Sequence, residues 1–194
     1  MKYISYHGTN KQNANKILSV NFSIKLPVMM NNLYSPHNHE KVPGSLGFGL
    51  YTFIDNPSLA KDFSIRFNHT NWTVVEIQTE INHNELLDLD NSHNQTNYHE
   101  FKNKVRQQIE LVAQHKYQRA VSSRKQSVLD GITIELYIMA IKKQQISINA
   151  VKMKTYTTTL KTNWVSIVPN GIELCIRNIN LIQTKRQYLP VKGD

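Results

Sequence analysis

The run from Trp72 to Ile81 constrains the fold more than any other part of this chain. It alternates apolar and polar residues, the period-two pattern of a strand with one buried face. Helical patterns flank it on both sides. Upstream, Asn56-Pro57-Ser58 opens a helix that carries Leu59, Ala60, Phe63 and Phe67 at helical spacing. Downstream, Phe101 to Lys116 reads as one amphipathic helix, with Val105, Ile109 and Val112 at spacings of four and three. Tyr3 to Thr9 reads as a short strand ending in Gly-Thr, followed by a helix from Lys11 to Leu18 capped by Thr9 or Asn10. Gly47 to Phe53 reads as a turn running into a strand. Ile148 to Thr159 and Ile172 to Ile176 read as strands, with Ile179 to Ile182 continuing the last one after a kink. Gly131 to Ile141 is apolar and fits either strand or helix. Residues 82–98 are polar, and 27–47 form a long loop rich in Asn, Pro, Gly and Ser, of the kind that often carries function. With no repeat and no low-complexity linker, the 194 residues read as a single α+β domain, 1–194.

No apolar run approaches the roughly 20 residues that span a bilayer. The first residues, Met1 to His7, do not read as a signal peptide, and the lone Cys175 leaves no disulfide framework or thiolate cluster, so a cytosolic protein is expected. Charge is divided unevenly. Residues 1–100 hold 7 Lys/Arg and 9 Asp/Glu, whereas 101–194 hold 16 and 5. A basic half suits an anionic partner such as RNA, DNA, an acidic protein or a pyrophosphate; it is equally the pattern of a solvated basic surface.

Three short segments carry chemistry. Tyr6-His7-Gly8-Thr9 offers an imidazole at a strand end, Gly49-Leu50-Tyr51-Thr52-Phe53 a phenol, and Gly171-Ile172-Glu173-Leu174 a carboxylate between apolar neighbours. Each alone fits an ordinary buried position. In this order they resemble the His-Tyr-Glu signature of diphtheria-toxin-like and poly(ADP-ribose)-polymerase-like ADP-ribosyltransferases. Ser5-Tyr6-His7-Gly8-Thr9 is similar to the first motif of the toxin branch, and Leu59-Ala60-Lys61-Asp62-Phe63-Ser64 extends the second. There the chain departs from the family, with Phe63 where a tyrosine is usual.

The resemblance implies two facing antiparallel β-sheets with flanking helices and NAD in the cleft between them. It gives His7 a hydrogen bond to a ribose hydroxyl, Gly8 a backbone that approaches the nicotinamide amide, and Thr9 support for the turn. Tyr51 and Phe63 would stack on the nicotinamide. Glu173, in the final strand, would hold the ribose and stabilise the oxocarbenium-like transition state. Glu135 in Ile134-Glu135-Leu136 is the rival carboxylate. Trp164 and Asn170 precede the glutamate, where acceptor choice is shaped in this family. Gly171 stands where the arginine-modifying branch has an acidic or amide side chain, so arginine is not the expected acceptor.

The implied activity is mono-ADP-ribosyl transfer from NAD, without a metal, by a toxin or anti-phage effector. The acceptor leans to RNA because of the basic half, with a protein acceptor close behind, and an antitoxin or immunity protein is an implied partner. A NAD glycohydrolase, or a silent nucleic-acid-binding module using Lys142, Lys143, Lys152 and Lys154, would fit the same residues. His37, His39 and Glu40 read as solvated rather than metal-binding, and Cys175 as buried and inert.

Overall fold

The computed structural model describes residues 1–22, 43–116, 126–158 and 166–189. The elements run β1 (Lys2–Asn10), α1 (Lys11–Ser19), β2 (Leu50–Ile54), α2 (Pro57–Asn68), β3 (Trp72–Glu80), β4 (Leu86–Asp88), α3 (Ser92–Lys104), α4 (Arg106–Lys116), α5 (Gln126–Lys142), β5 (Ala150–Thr155), β6 (Gly171–Ile176) and β7 (Ile182–Gln187). The described strands join in one seven-stranded mixed sheet, in the order β4-β5-β6-β2-β1-β3-β7. Only β4 and β5 are parallel. Two separate, wholly antiparallel sheets are therefore not distinguished. Instead the sheet has an uneven seam. β1 meets β3 over nine residue pairs, Lys2–Glu80 to Asn10–Trp72, but meets β2 at Ser5–Ile54 and Tyr6–Phe53 alone.

Local signals set several boundaries. The Asn10 side chain accepts from Asn13 N and starts α1; Asn56 does the same for Leu59 N at α2, where Pro57 suits the first turn. β3 differs from its expected one-sided burial. Val75 and Ile77 pack with Ala14 and Ile17 of α1, while Val74 packs with Leu59 and Ala60 of α2 on the other face. Helices on both faces bury Thr73 to Ile77 without alternation, and Glu76 is accommodated by an ion pair to Arg186 at 2.7 Å.

Other expectations are corrected. The single helix over 101–116 is two helices separated at Val105, whose backbone leaves the helical region. α3 starts earlier, at an Asn91 cap that accepts from His93 N and Asn94 N, so the polar stretch 82–98 contains β4 and the first turns of α3. Residues 131–141 are helical. Ile134 and Ile138 face Leu87, Tyr98 and Val151, whereas Val128 and Ile132 face Ile109 of α4; burial on two sides erased the helical period. β5 ends at Thr155. Ile182 does not continue β6: a short turn at Ile179–Leu181 sends β7 to the far edge, against β3. Glu173 thus lies on an inner strand and not the last. No described helix is long and apolar enough to cross a membrane.

Candidate functional site

The seam between β1 and β2 opens a cleft. Beyond Tyr6–Phe53 the two strands no longer pair, and the Tyr51 carbonyl is instead bonded by His7 Nδ1 at 2.9 Å. A carbonyl only accepts, so Nδ1 carries the hydrogen; in the neutral ring Nε2 is then an acceptor. Phe22 braces the imidazole edge-on, with ring centres 5.7 Å apart. The cleft has a volume of about 760 Å³, and its lining includes His7, Thr9, Lys16, Tyr51, Phe63 and Glu173. That size lies in the ~300–1,000 Å³ range of small-molecule sites.

Tyr51 presents its ring to the cleft but commits its hydroxyl to the chain. The oxygen accepts from Leu46 N at 2.7 Å and donates to Gly47 O at 2.8 Å. This pins a tight turn closed by the Gly44–Gly47 bridge. Gly47 is required there: its φ is +83°, and a Cβ would stand 2.3 Å from Glu135 Oε1. Burial raises the Tyr51 phenol well above its usual value, with the Cys175 thiol adding to the effect. The phenol therefore stays neutral, leaving stacking and turn support as its roles.

Glu173 stands opposite Phe53 in the β2–β6 ladder and faces the same cleft. Ser45 Oγ donates to its Oε2 and Thr157 Oγ1 to its Oε1, both at 3.2 Å. Burial raises its pKa, and the two hydroxyls oppose that rise without cancelling it. The result is a carboxylate partly stripped of water, held by neutral donors, with no cation neutralising it among those bonds.

Glu135 is arranged differently. It is 5% exposed, forms a two-pronged ion pair with Arg177, and accepts from Phe48 N at 2.7 Å. Arg177 also donates to Phe48 O at 3.0 Å. Glu135 therefore fastens the turn from behind and does not line the cleft. Of the two carboxylates weighed in sequence, Glu173 is the one that lines the cleft.

Two expected roles are corrected. Gly8 does not line the cleft; its missing side chain makes room for α2, since a Cβ would lie 2.0 Å from Ala60 O and 2.9 Å from Ser64 Cβ. Asn170 spends its amide on the chain, donating to Thr157 O at 2.7 Å and accepting from Thr157 N at 2.8 Å. It positions the residue that holds Glu173. Thr9 lines the cleft and its carbonyl accepts from Ser64 Oγ. Phe63 lines the cleft while packing against Phe53 and Phe67.

Trp164, His37, His39 and Glu40 lie outside the described residues. Among the described residues there is no cluster of three or more His, Cys, Asp or Glu suited to a metal. Cys175 is buried, and its thiol is pushed up to about 12 by that burial. Of the four lysines considered for nucleic acid, Lys152 is corrected: it is bound to Asp88 and Asp90, each at 2.9 Å, with 14% of its side chain exposed.

Sequence reasoning missed Ser45, Thr157, Asn13 and Lys16. The first two approach Glu173 from 128 and 16 residues away, and no local pattern marks them. Comparison with protein-family models, curated proteins and solved structures finds no match to this chain.

Proposed function

We propose that this protein is a mono-ADP-ribosyltransferase that uses NAD as its donor substrate. One observation carries the reading: His7, Tyr51 and Glu173, from three distant parts of the sequence, line one cleft where β1 and β2 part. The seam also supports the expected architecture. It divides the sheet into a β4-β5-β6-β2 half and a β1-β3-β7 half, joined by two residue pairs, which fits two facing halves around a ligand.

In this reading Tyr51 and Phe63 hold the flat nicotinamide, and His7 Nε2 accepts from a ribose hydroxyl. Breaking the N-glycosidic bond leaves its electron pair on nicotinamide and builds positive charge on the ribose. Glu173 stabilises that charge. Its partial dehydration strengthens the attraction, because no water shell must be displaced first. The acceptor then bonds to the ribose carbon, and its proton passes to Glu173 and on to solvent. NAD and the acceptor thus yield the ADP-ribosylated acceptor, nicotinamide and one proton. RNA is the favoured acceptor, supported by the 16 Lys/Arg against 5 Asp/Glu after residue 100.

The test incubates labelled NAD separately with total RNA, single-stranded DNA and cell-extract protein, using wild type and Glu173→Ala. Label on RNA that disappears in the variant is the expected result. Label on protein instead would reassign the acceptor, and nicotinamide release without label would make the protein a glycohydrolase. Undiminished transfer by Glu173→Ala would overturn the assignment of Glu173.

A further inference from the structure

The cleft extends past the three motif residues onto α1. Asn13 and Lys16 line it together with Ile17. Asn13 and Lys16 are three residues apart, hence neighbours on one face of the helix. α1 follows β1 without a gap, so this face begins beyond Asn10, about 10 Å along the strand from His7 at ~3.3 Å per residue.

Lys16 is exposed, and it has no ion-pair partner among the described residues. It is also not consumed by the helix end. Lys185 reaches across from β7 and donates to Ile17 O at 2.6 Å, Val20 O at 3.3 Å and Asn21 Oδ1 at 3.3 Å. Those bonds satisfy carbonyls that a last-turn lysine would otherwise serve. Among the described residues lining the cleft, Lys16 is the sole Lys or Arg and Glu173 the sole carboxylate. One cleft thus has a carboxylate in its sheet wall and a cation on its helix wall.

We propose that Lys16 and Asn13 form a phosphate subsite that takes the pyrophosphate of a nucleoside diphosphate. The inference rests on the NAD reading for its orientation: the glycosidic bond lies at Glu173, and the negative bridge of the dinucleotide runs toward α1. Lys16 supplies the charge and Asn13 an amide donor.

ADP and adenosine serve as probes, titrated calorimetrically into wild type, Lys16→Ala, Lys16→Arg and Asn13→Ala at low salt. Wild type is expected to prefer ADP. Lys16→Ala should weaken ADP by about tenfold, as for loss of a charge-assisted hydrogen bond, leave adenosine binding unchanged, and raise KM for NAD. Lys16→Arg should restore most of the ADP affinity. Both side chains are exposed, so unfolding temperatures should match wild type. Equal ADP binding by wild type and Lys16→Ala overturns the subsite, even if labelled transfer proceeds. Lys16-dependent ADP binding without any turnover of NAD sustains the subsite and removes the transferase reading instead.

Discussion

Glu135 and Arg177 close a buried two-pronged ion pair against the back of the turn whose front presents Ser45 to Glu173. The pair grips both backbone groups of Phe48, one from each partner. Removing one member leaves the other charged and without its partner in a site 8% or less exposed at either side chain. Glu135→Ala should therefore cost about 3–5 kcal/mol, whereas a Glu135→Leu, Arg177→Met double change should recover much of it. Thermal unfolding of wild type and both variants checks this. A stable Glu135→Ala protein that has lost transfer activity would return Glu135 to the catalytic role.

In the proposed transferase, Glu173 links activity to stability. Burial raises its pKa above the ordinary 4.5, so the folded protein holds the carboxyl proton more tightly than the unfolded chain does. As pH rises from 4.5, the unfolded chain ionises first and folding loses stability until the folded carboxyl has also ionised. Glu173→Gln cannot ionise. Its melting temperature should exceed that of wild type at pH 7, with the gap shrinking toward pH 4. Transfer activity of wild type should rise over the interval in which Glu173 ionises. A stability gap that does not change with pH would refute the burial penalty assigned to this carboxylate.

The helices α1 and α2 were legible because their signals are local: an Asn cap, a proline in the first turn, and apolar residues at helical spacing. The three motif residues were legible for another reason, the order of short patterns. Their surroundings were not. Gly8 reads in sequence as a place for close ligand approach, yet the close approach is by Ala60 of α2. Asn170 reads as an acceptor contact, yet its amide is satisfied by Thr157. The destination of β7 was equally hidden, since pairing with β3 depends on a connection across the whole sheet. Patterns of period two or 3.6 report burial, not partners.

Asn170 gives a direct test of this positioning. It holds Thr157, which donates to Glu173 Oε1. Asn170→Ala should cost roughly 1–3 kcal/mol for its lost hydrogen bonds and lower kcat more than it raises KM for NAD. Thr157→Val should reproduce the loss of kcat, because the hydroxyl is the last link to the carboxylate. Steady-state kinetics on both variants decides the matter. A change confined to the acceptor's KM would place Asn170 against the acceptor after all.

The basic C-terminal half separates into lysines that hold the fold and lysines available to a partner. Lys152 is tied to Asp88 and Asp90 between β4 and β5, and burial of those bonds makes them worth about 1.5–3 kcal/mol as charge-assisted hydrogen bonds. Lys152→Met should lower the unfolding temperature. Lys142 ends α5, Lys143 opens the turn after it, and both are exposed, so replacing both with glutamine should leave stability within about 0.5 kcal/mol of wild type. If RNA is the acceptor, that double change should weaken RNA retention and flatten its salt dependence, because fewer phosphates are neutralised and fewer counterions released. Filter binding of labelled RNA across a salt series, set beside thermal unfolding, separates the two groups. RNA retention that is unmoved by the Lys142 and Lys143 changes would take this end of α5 out of the acceptor surface.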